Sequence, residues 1–232
     1  MSLKKDYICA KLEEYDSIMS KDMEMYKIIM LGDSNTGKTS FVQQYSINQF
    51  YNKESNTIGV SYVTKIIKSP KTNNQAKVCI WDTAGQDRFF SIVKMYFKFA
   101  MGICCVYDIT NINSLKNCER WLDESLRHIN SNNYEKLSQN KDDYEEPKVP
   151  ILLIGNKIDL VQEKNNFNEK YRNKIIDTYI LKYNLVHYEC SAKTGENVNE
   201  AILELISRMN PIIIKKEKRI DLKNQSQSCN CY

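Results

Sequence analysis

The stretch Gly32-Asp33-Ser34-Asn35-Thr36-Gly37-Lys38-Thr39-Ser40 decides the fold that this sequence predicts. It follows an apolar run at 26–31 and precedes an apolar-periodic stretch, so its context is strand, tight loop and helix. In that context G-x-x-x-x-G-K-[ST] is typical of a loop whose backbone N–H groups surround a phosphate. We expect Lys38 to pair with the β- and γ-phosphates and the Thr39 hydroxyl to bind Mg²⁺. A glycine loop before an ordinary helix is the alternative for this stretch alone.

Composition favours a reduced, cytosolic domain with a basic tail. The chain has 232 residues, 42% of them hydrophobic, which allows one domain with its own core plus tails. Its eight cysteines lack the spacing of a disulfide framework, and several lie in apolar runs. The net charge is +4, and residues 211–232 carry five basic and two acidic residues, so the rest is close to neutral. This distribution weighs against a nucleic-acid-binding face, and we expect neither a signal peptide nor a membrane span.

Apolar strands alternate with amphipathic helices along the chain. Strands are predicted at 26–31, 58–68, 77–82, 102–107, 150–154 and 185–190, and helices at 38–45, 114–129, 168–183 and 196–209. The connection at 69–74 is so short that the strands it joins must be antiparallel. The pattern predicts an α/β fold with a mainly parallel, six-stranded sheet, one antiparallel strand, and helices on both faces. Ligands of such sheets bind outside the carboxyl ends of the strands.

Three segments flank or interrupt the predicted domain, which we place at 25–210. Residues 1–24 form an extension that is either helical around 7–19 or disordered. Residues 130–148 are rich in Asn, Lys, Asp and Glu without periodicity, which favours an exposed insertion. Residues 211–232 form a basic tail that ends in a cysteine signal.

The run Trp81-Asp82-Thr83-Ala84-Gly85-Gln86 follows a predicted strand, which brings it near the phosphate loop. Asp82 is suited to hold Mg²⁺ through a water, and Gly85 to approach a terminal phosphate with its N–H. Gln86 is placed to orient an attacking water. Thr57 is a candidate second Mg²⁺ ligand, although spacing alone would not select it.

Two further loops favour guanine as the base. Asp159, in Asn156-Lys157-Ile158-Asp159, offers two acceptors side by side, which match the N1–H and N2–H₂ donors of guanine. Adenine lacks that donor pair, and a site built this way rejects the wrong base by about 10⁴-fold. An N-K-x-D run alone would also suit a polar helix start. In Ser191-Ala192-Lys193, after the last strand, we expect the Ala192 N–H to meet guanine O6.

These motifs resemble those of the small Ras-like GTPases over about residues 25–210, in the order GDSNTGKT, Thr57, WDTAGQ, NKID and SAK. Within that superfamily the chain looks most like a Rab. The Rab-like segments are IGVSY at 58–62, KVCIWD at 77–82, Arg88-Phe89 and VYDIT at 106–110. The departures are Phe97-Lys98-Phe99-Ala100, where Rabs have Tyr-Arg-Gly-Ala, and Asn35, where a small residue is usual.

The resemblance implies a P-loop GTPase domain that binds Mg²⁺, takes GTP as substrate and releases GDP. Nucleotide binding would fall to Asp33, Ser34, Asn35, Thr36, Gly37, Lys38, Thr39, Ser40, Phe50, Thr57, Gly85, Asn156, Lys157, Asp159, Ser191, Ala192 and Lys193. Gln86 would be catalytic, and Thr39, Thr57 and, through water, Asp82 would hold the metal. Phe50 would pack near the ribose and base, and effectors would read Tyr62, Trp81 and Tyr96.

The chain ends in Cys229-Asn230-Cys231-Tyr232, which is similar to the two-cysteine prenylation signal of Rabs apart from the final tyrosine. Read as C-a-a-X, its middle residues are not aliphatic. Incidental cysteines in a disordered tail are the third possibility. Two lipids behind a basic stretch would suit an anionic cytoplasmic leaflet.

The resemblance therefore implies a Rab-like switch of vesicle traffic on the cytoplasmic face of an endomembrane, cycling with the cytosol. It implies an exchange factor, a GTPase-activating protein, a GDP-dissociation inhibitor or escort protein, and effectors as partners, and no nucleic acid. The alternatives are a GTP-binding scaffold with negligible hydrolysis and a switch of another Ras-like branch. A P-loop ATPase or kinase would lack Asn156-Lys157-x-Asp159.

Overall fold

The computed structural model describes residues 23–52, 57, 59–86, 90–97, 100–134, 149–161 and 166–214. The strands are β1 (Met23–Leu31), β2 (Val60–Lys68), β3 (Gln75–Thr83), β4 (Gly102–Asp108), β5 (Ile151–Asn156), β6 (Val186–Cys190) and β7 (Ile212–Ile214). The helices are α1 (Lys38–Ile47), α2 (Phe90–Phe97), α3 (Ile112–Tyr134), α4 (Asn166–Tyr183) and α5 (Val198–Arg208), with a 3₁₀ turn at Ile158–Leu160.

The sheet has the order β2-β3-β1-β4-β5-β6. Only the β2–β3 pair of this order is antiparallel, and the four other pairs are parallel. The predicted mainly parallel α/β sheet with one antiparallel pair is thus confirmed. The short strand β7 was not predicted.

Helices cover both faces of the sheet because the central strands are apolar on both sides. Alternate residues of β1 enter different cores: Ile28 lies in one and Ile29 in the other. The first core is closed by side chains of α1 and α5, such as Phe41 and Leu205. The second is closed by α2, α3 and α4, where Trp121 is among the largest buried side chains. Burial of β4 and β5 on both faces explains why their sequences run apolar without alternation.

The helices differ from the prediction mainly in one missed helix and in the length of α3. Helix α2, at Phe90–Phe97, was missed because its eight residues are too few to show a helical period and are mostly aromatic or apolar. Helix α3 continues to Tyr134, so the first five residues of the predicted insertion at 130–148 are helical. The rest of that insertion, most of the extension at 1–24 and the cysteines at 229 and 231 lie outside the described residues. Strand β1 begins at Met23, within that predicted extension.

The parallel strands direct four loops to one edge of the sheet. The P-loop (residues 32–37) follows β1, residues 84–86 follow β3, residues 157–159 follow β5, and residues 191–195 follow β6. The carboxyl ends of these strands therefore place all four loops together, as expected for this class of fold. Among the described residues, no helix is both long enough and apolar enough to cross a membrane.

Candidate nucleotide site

The two glycines of the P-loop are needed for close approach to neighbouring groups. Gly32 has φ +128°, and a Cβ there would lie 2.1 Å from the Val106 carbonyl oxygen of β4. Gly37 has φ +87°, and a Cβ there would lie 2.3 Å from Asn156 Nδ2. Gly37 also precedes α1 without a side chain to cap the helix. The N–H groups at the start of α1 are therefore suited to bind an anion.

Lys38 lies beneath the P-loop with its ammonium group directed at the loop backbone. Its side chain is buried, and Nζ donates to the carbonyl oxygens of Gly32, at 2.8 Å, and Asp33, at 2.7 Å. Burial lowers the pKa of Lys38 to about 8, against the opposing effect of Asp82 and Asp33. A phosphate next to this ammonium would stabilise its charged form, which burial disfavours.

Three oxygen-bearing side chains from separate segments of the chain meet beside Lys38. Thr39 Oγ1 lies 2.7 Å from Asp82 Oδ2, to which it donates, and 2.7 Å from Thr57 Oγ1. Asp82 is buried at the end of β3. Two hydroxyls and a carboxylate are the hard oxygen ligands that Mg²⁺ prefers, so these residues fit the predicted metal.

The loop after β3 closes against the P-loop. A Cβ on Gly85 would lie 2.4 Å from Lys38 Nζ and 2.5 Å from the backbone nitrogen of Ser34. Only glycine can approach a phosphate-binding loop this closely. Gln86 follows directly and lines a cavity together with Gly37 and Lys38.

Asn156 ties three loops together at the end of β5. Its side chain is 1% exposed, and its Nδ2 donates to the Thr36 carbonyl oxygen at 2.9 Å. Its Oδ1 accepts from the Ala192 N–H at 3.0 Å. In this structure the N–H predicted to meet guanine O6 thus bonds to Asn156, and its contact with the base stays a prediction.

Lys157 links the loop after β5 to the P-loop. Its Nζ donates to the Asn35 carbonyl oxygen at 2.7 Å and forms an ion pair of 2.7 Å with Asp108. Lys157 and Asn35 both have positive φ, 71° and 64°. Asparagine tolerates this left-handed region better than most residues, so the backbone accommodates Asn35 at a position where a small residue is usual.

Asp159 faces the last of the four loops. Its Oδ1 accepts from the Ser191 hydroxyl at 2.6 Å, and the Ser191 oxygen accepts in turn from the Thr194 N–H at 3.0 Å. Ser191 is fully buried, so its hydroxyl holds the more exposed carboxylate in one orientation. Fixing the carboxylate in this way is what a base-reading acceptor pair requires.

These groups surround one cavity of about 420 Å³, which lies within the usual range for ligand sites. The predicted residues that line it are Ser34, Asn35, Gly37, Lys38, Thr39, Ser40, Phe50, Thr57, Gly85, Gln86, Asn156, Lys157, Asp159, Ala192 and Lys193. Asp33, Thr36, Asp82 and Ser191 do not line it but hydrogen-bond within or beside its loops. Tyr51, Asn52 and Leu160 line it and were missed. Their only sequence signal is adjacency to Phe50 and Asp159.

Comparison with known families agrees with this geometry. The model of the Ras family matches residues 27–211, which is most of the chain. The chain belongs to the Ras family.

Rab-type proteins are among the relatives of this Ras-family chain. GTP-binding protein ypt5 of Schizosaccharomyces pombe is 33% identical over 183 residues, covering 79% of this chain and 77% of the relative. Ras-related protein Rab-1 of Theileria annulata is 36% identical over 192 residues, covering 82% and 73%. A Ras and EF-hand domain-containing protein of Danio rerio is 32% identical over 223 residues, but the chain spans only 29% of its length. Ras-like small GTPases of Rab type are therefore what this chain most resembles, as predicted.

Two of the three predicted effector-reading aromatics are neighbours on the sheet. Tyr62 and Trp81 face each other in the β2–β3 register, with ring centroids 4.8 Å apart. Tyr62 is 52% exposed, and the ammonium group of Lys27 lies 4.1 Å from the Trp81 ring centroid. Tyr96, on α2, packs partly buried against the core. Their role in effector binding stays a prediction.

Among the described residues that depart from the Rab pattern, Phe97 lies in the core and Asn35 is exposed on the P-loop. Phe97 is fully buried, with its ring centroid 5.9 Å from that of His128, and Phe99 lies outside the described residues.

The cysteines at positions 79, 104, 105, 118 and 190 are buried free thiols. Cysteines at these positions pack as small apolar side chains.

Proposed function

We propose that this Ras-family chain is a Rab-type switch that binds GTP with Mg²⁺, hydrolyses it slowly to GDP and phosphate, and recruits effectors to membranes in vesicle traffic. One observation carries the proposal: the P-loop cation Lys38 and the oriented carboxylate Asp159 face a single cavity. A phosphate chain and a purine base must be bound together to use both ends of that cavity.

Base selection falls to Asp159. A carboxylate accepts two hydrogen bonds side by side from the N1–H and N2–H₂ of guanine. The Ser191 hydroxyl, 2.6 Å from Oδ1, fixes the plane of the carboxylate before the base arrives. Such preorganisation lowers the cost of ordering the site on binding. Phe50, which is only partly buried at the cavity wall, supplies an aromatic face for the base or ribose.

Phosphate binding falls to the P-loop and Lys38. The ammonium is held between two carbonyl oxygens of its own loop, so its position is fixed in advance. Mg²⁺, when bound, would supply positive charge that offsets the negative charge developing on the phosphates. Thr39, Thr57 and Asp82 are the residues that would hold it.

Hydrolysis requires a water in line with the γ-phosphate. Gln86 would orient this water, and the Gly85 N–H would contact the γ-phosphate as charge develops. No arginine lines the cavity within the described part of the chain, so intrinsic hydrolysis should be slow until a GTPase-activating protein supplies one. The charge on the transition state would otherwise be met by Lys38 and the metal.

Switching follows from the same contacts. The Thr57 hydroxyl contacts that of Thr39, and Gly85 packs closely against the P-loop, so both would respond to the group bound at Lys38. Loss of the γ-phosphate would release both loops and change the surface that effectors read. The basic tail with Cys229 and Cys231 would attach the protein to a membrane by prenylation, and a GDP-dissociation inhibitor or escort protein would cover the lipids in the cytosol.

Single-turnover hydrolysis tests the proposal. The purified chain should bind GTP and GDP in the presence of Mg²⁺ and convert bound GTP slowly to GDP. Gln86→Leu should slow this step without weakening GTP binding, because it removes only the group that orients water. Gln75→Leu is a matched control, since Gln75 is exposed at the far end of β3.

Each outcome is informative. A wild-type rate for Gln86→Leu would refute the role of Gln86. Tight GTP binding with no hydrolysis would identify a GTP-binding scaffold. A chain that binds no guanine nucleotide would overturn the proposed function.

A further inference from the structure

The Asp33 side chain is turned away from the cavity and bound to α3. Asp33 Oδ1 accepts from the indole Nε1–H of Trp121 at 2.9 Å, and Oδ2 accepts from Asn117 Nδ2 at 2.7 Å. The two donors stand one helical turn apart, so a single carboxylate spans both. A carboxylate facing the cavity would repel a phosphate chain. These two hydrogen bonds hold it on the opposite side of the loop.

The backbone carbonyl of Asp33 also accepts hydrogen bonds from two nearby side chains. Its carbonyl oxygen accepts from Lys38 Nζ at 2.7 Å and from Thr36 Oγ1 at 3.0 Å. A Cβ on Gly85 would lie 2.4 Å from the Asp33 carbonyl carbon, so the loop after β3 also packs on this residue. A shift of Asp33 would therefore displace the P-loop cation and the surface that Gly85 contacts.

Helix α3 is a firm attachment for this carboxylate. Trp121 is 1% exposed and packs in the second core, which also contains Leu115 and Leu122 of the same helix. Asn117 is exposed, so its amide is the more adaptable of the two donors. We call these two hydrogen bonds to the Asp33 carboxylate the anchor. One of its donors is fixed by core packing, and the other can adjust to the position of the loop.

We infer that Asp33 is a positioning residue for guanine-nucleotide binding: its carboxylate, held by Trp121 and Asn117, fixes the P-loop so that Lys38 and the loop N–H groups meet the phosphates. This inference rests on the proposed nucleotide binding. Loss of the anchor raises the dissociation rates of GDP and GTP alike, because both share the phosphates that the P-loop contacts. It leaves the choice between guanine and xanthine unchanged, because Asp159 lies at the other end of the cavity.

An exchange of donor and acceptor tests the anchor. Asn117→Asp places a second carboxylate against Asp33, and we expect dissociation of a fluorescent GDP analogue to become about tenfold faster, which corresponds to about 1.4 kcal/mol. The double variant Asp33→Asn/Asn117→Asp restores a donor opposite an acceptor while Asp33→Asn still presents an oxygen to Trp121. We expect dissociation to return to within about threefold of the wild-type rate. Asn173→Asp, which adds the same charge at an exposed site on α4, should leave the rate unchanged.

A milder variant guards against failure to fold. Trp121→Phe keeps an aromatic ring in the core and removes the indole donor together with part of the packed volume, so it should speed dissociation severalfold. Combined with Asp33→Ala, it should add nothing to the effect of Asp33→Ala, because both changes break the same contact. A merely structural role would instead give additive losses in thermal stability, with unaltered dissociation rates and no rescue by the exchange.

The outcomes separate this inference from the proposed function. If the wild type binds GDP but Asn117→Asp and Asp33→Ala release it at the wild-type rate, the anchor is refuted and the nucleotide site stands. If the exchanged pair is no better than Asn117→Asp alone, the positioning role is likewise refuted. A wild type that binds no guanine nucleotide would overturn the proposed function and this inference with it.

Discussion

Removal of the Asn156 side chain should weaken nucleotide binding more than it weakens the fold. Asn156 is buried at the end of β5 and bonds to two different loops: to the Thr36 carbonyl at 2.9 Å and to the Ala192 N–H at 3.0 Å. Asn156→Ala deletes both bonds. The loops that contact phosphate and base would then no longer be held in one arrangement.

The magnitude follows from the groups left behind. One backbone carbonyl and one backbone N–H lose their partner, and each unsatisfied buried group costs about 1–3 kcal/mol. The space vacated adjoins an open cavity of about 420 Å³, so water can reach it, which favours the lower end of that range. A total of about 2 kcal/mol corresponds to a loss of about 30-fold in affinity for GDP. Because the loops that Asn156→Ala releases would have to order again on binding, the cost falls mainly on binding.

Equilibrium titration with a fluorescent GDP analogue measures this loss, with urea unfolding of the same samples for comparison. Asn111→Ala is the matched control: Asn111 Oδ1 accepts from the Asn113 N–H at the start of α3, outside the cavity. Losing that cap should cost about 1 kcal/mol of stability and no affinity. If Asn156→Ala binds GDP as tightly as the wild type, Asn156 does not tie the loops together.

Three further predictions concern pH and attachment. Burial lowers the pKa of Lys38 to about 8, and bound phosphate would raise this pKa. The affinity for GDP should therefore stay constant below pH 8 and fall as the pH rises to 9. GDP titrations over this pH range that show no fall in affinity would contradict the placement of Lys38. Burial, with the positive charge of Arg172 adding to its effect, lowers the pKa of His187 from 6.5 to about 4. Between these two pH values the unfolded chain binds a proton that the folded protein does not. The stability of the fold should therefore decrease as the pH drops from about 6.5 to about 4. Urea unfolding at pH 7 and pH 5 should show a smaller loss for His187→Phe than for the wild type, and equal losses would refute the assignment. Cys229→Ser/Cys231→Ser should abolish stable membrane association, because one lipid or a basic patch alone binds a membrane only weakly. Mass spectrometry of the wild-type C-terminal peptide should find prenyl groups. An unmodified peptide on a membrane-bound protein would contradict this prediction.

Local chemistry made the P-loop and the sheet predictable from sequence. Gly32 and Gly37 allow close approaches that a Cβ would block, and the lysine that follows Gly37 begins α1. The strands were predictable because β4 and β5 are buried on both faces and so are apolar throughout. Each of these features leaves a recognisable pattern within a short segment of the sequence.

Features that depend on tertiary contacts could not be predicted in this way. Tyr51 and Leu160 line the cavity because two loops distant in sequence converge. Neither loop has a sequence pattern that predicts this convergence. Asn156 was expected to bind nucleotide, but both ends of its amide bond to protein loops. Asp33 was expected to do the same, and its partners on α3 are 84 and 88 residues away. Side-chain direction within a motif was decided by the rest of the fold.

Nucleotide competition with Asp159→Asn tests the central claim most directly. The wild type should prefer GTP to xanthosine triphosphate, because the carboxylate accepts from two guanine donors while the Ser191 hydroxyl holds it in place. The variant replaces one acceptor with a donor, so its preference should shift towards xanthosine triphosphate, whose C2 carbonyl accepts where guanine donates. Asp177→Asn, on α4 and outside the cavity, should keep the wild-type preference. An unchanged preference for GTP in Asp159→Asn would contradict the claim that this cavity reads guanine.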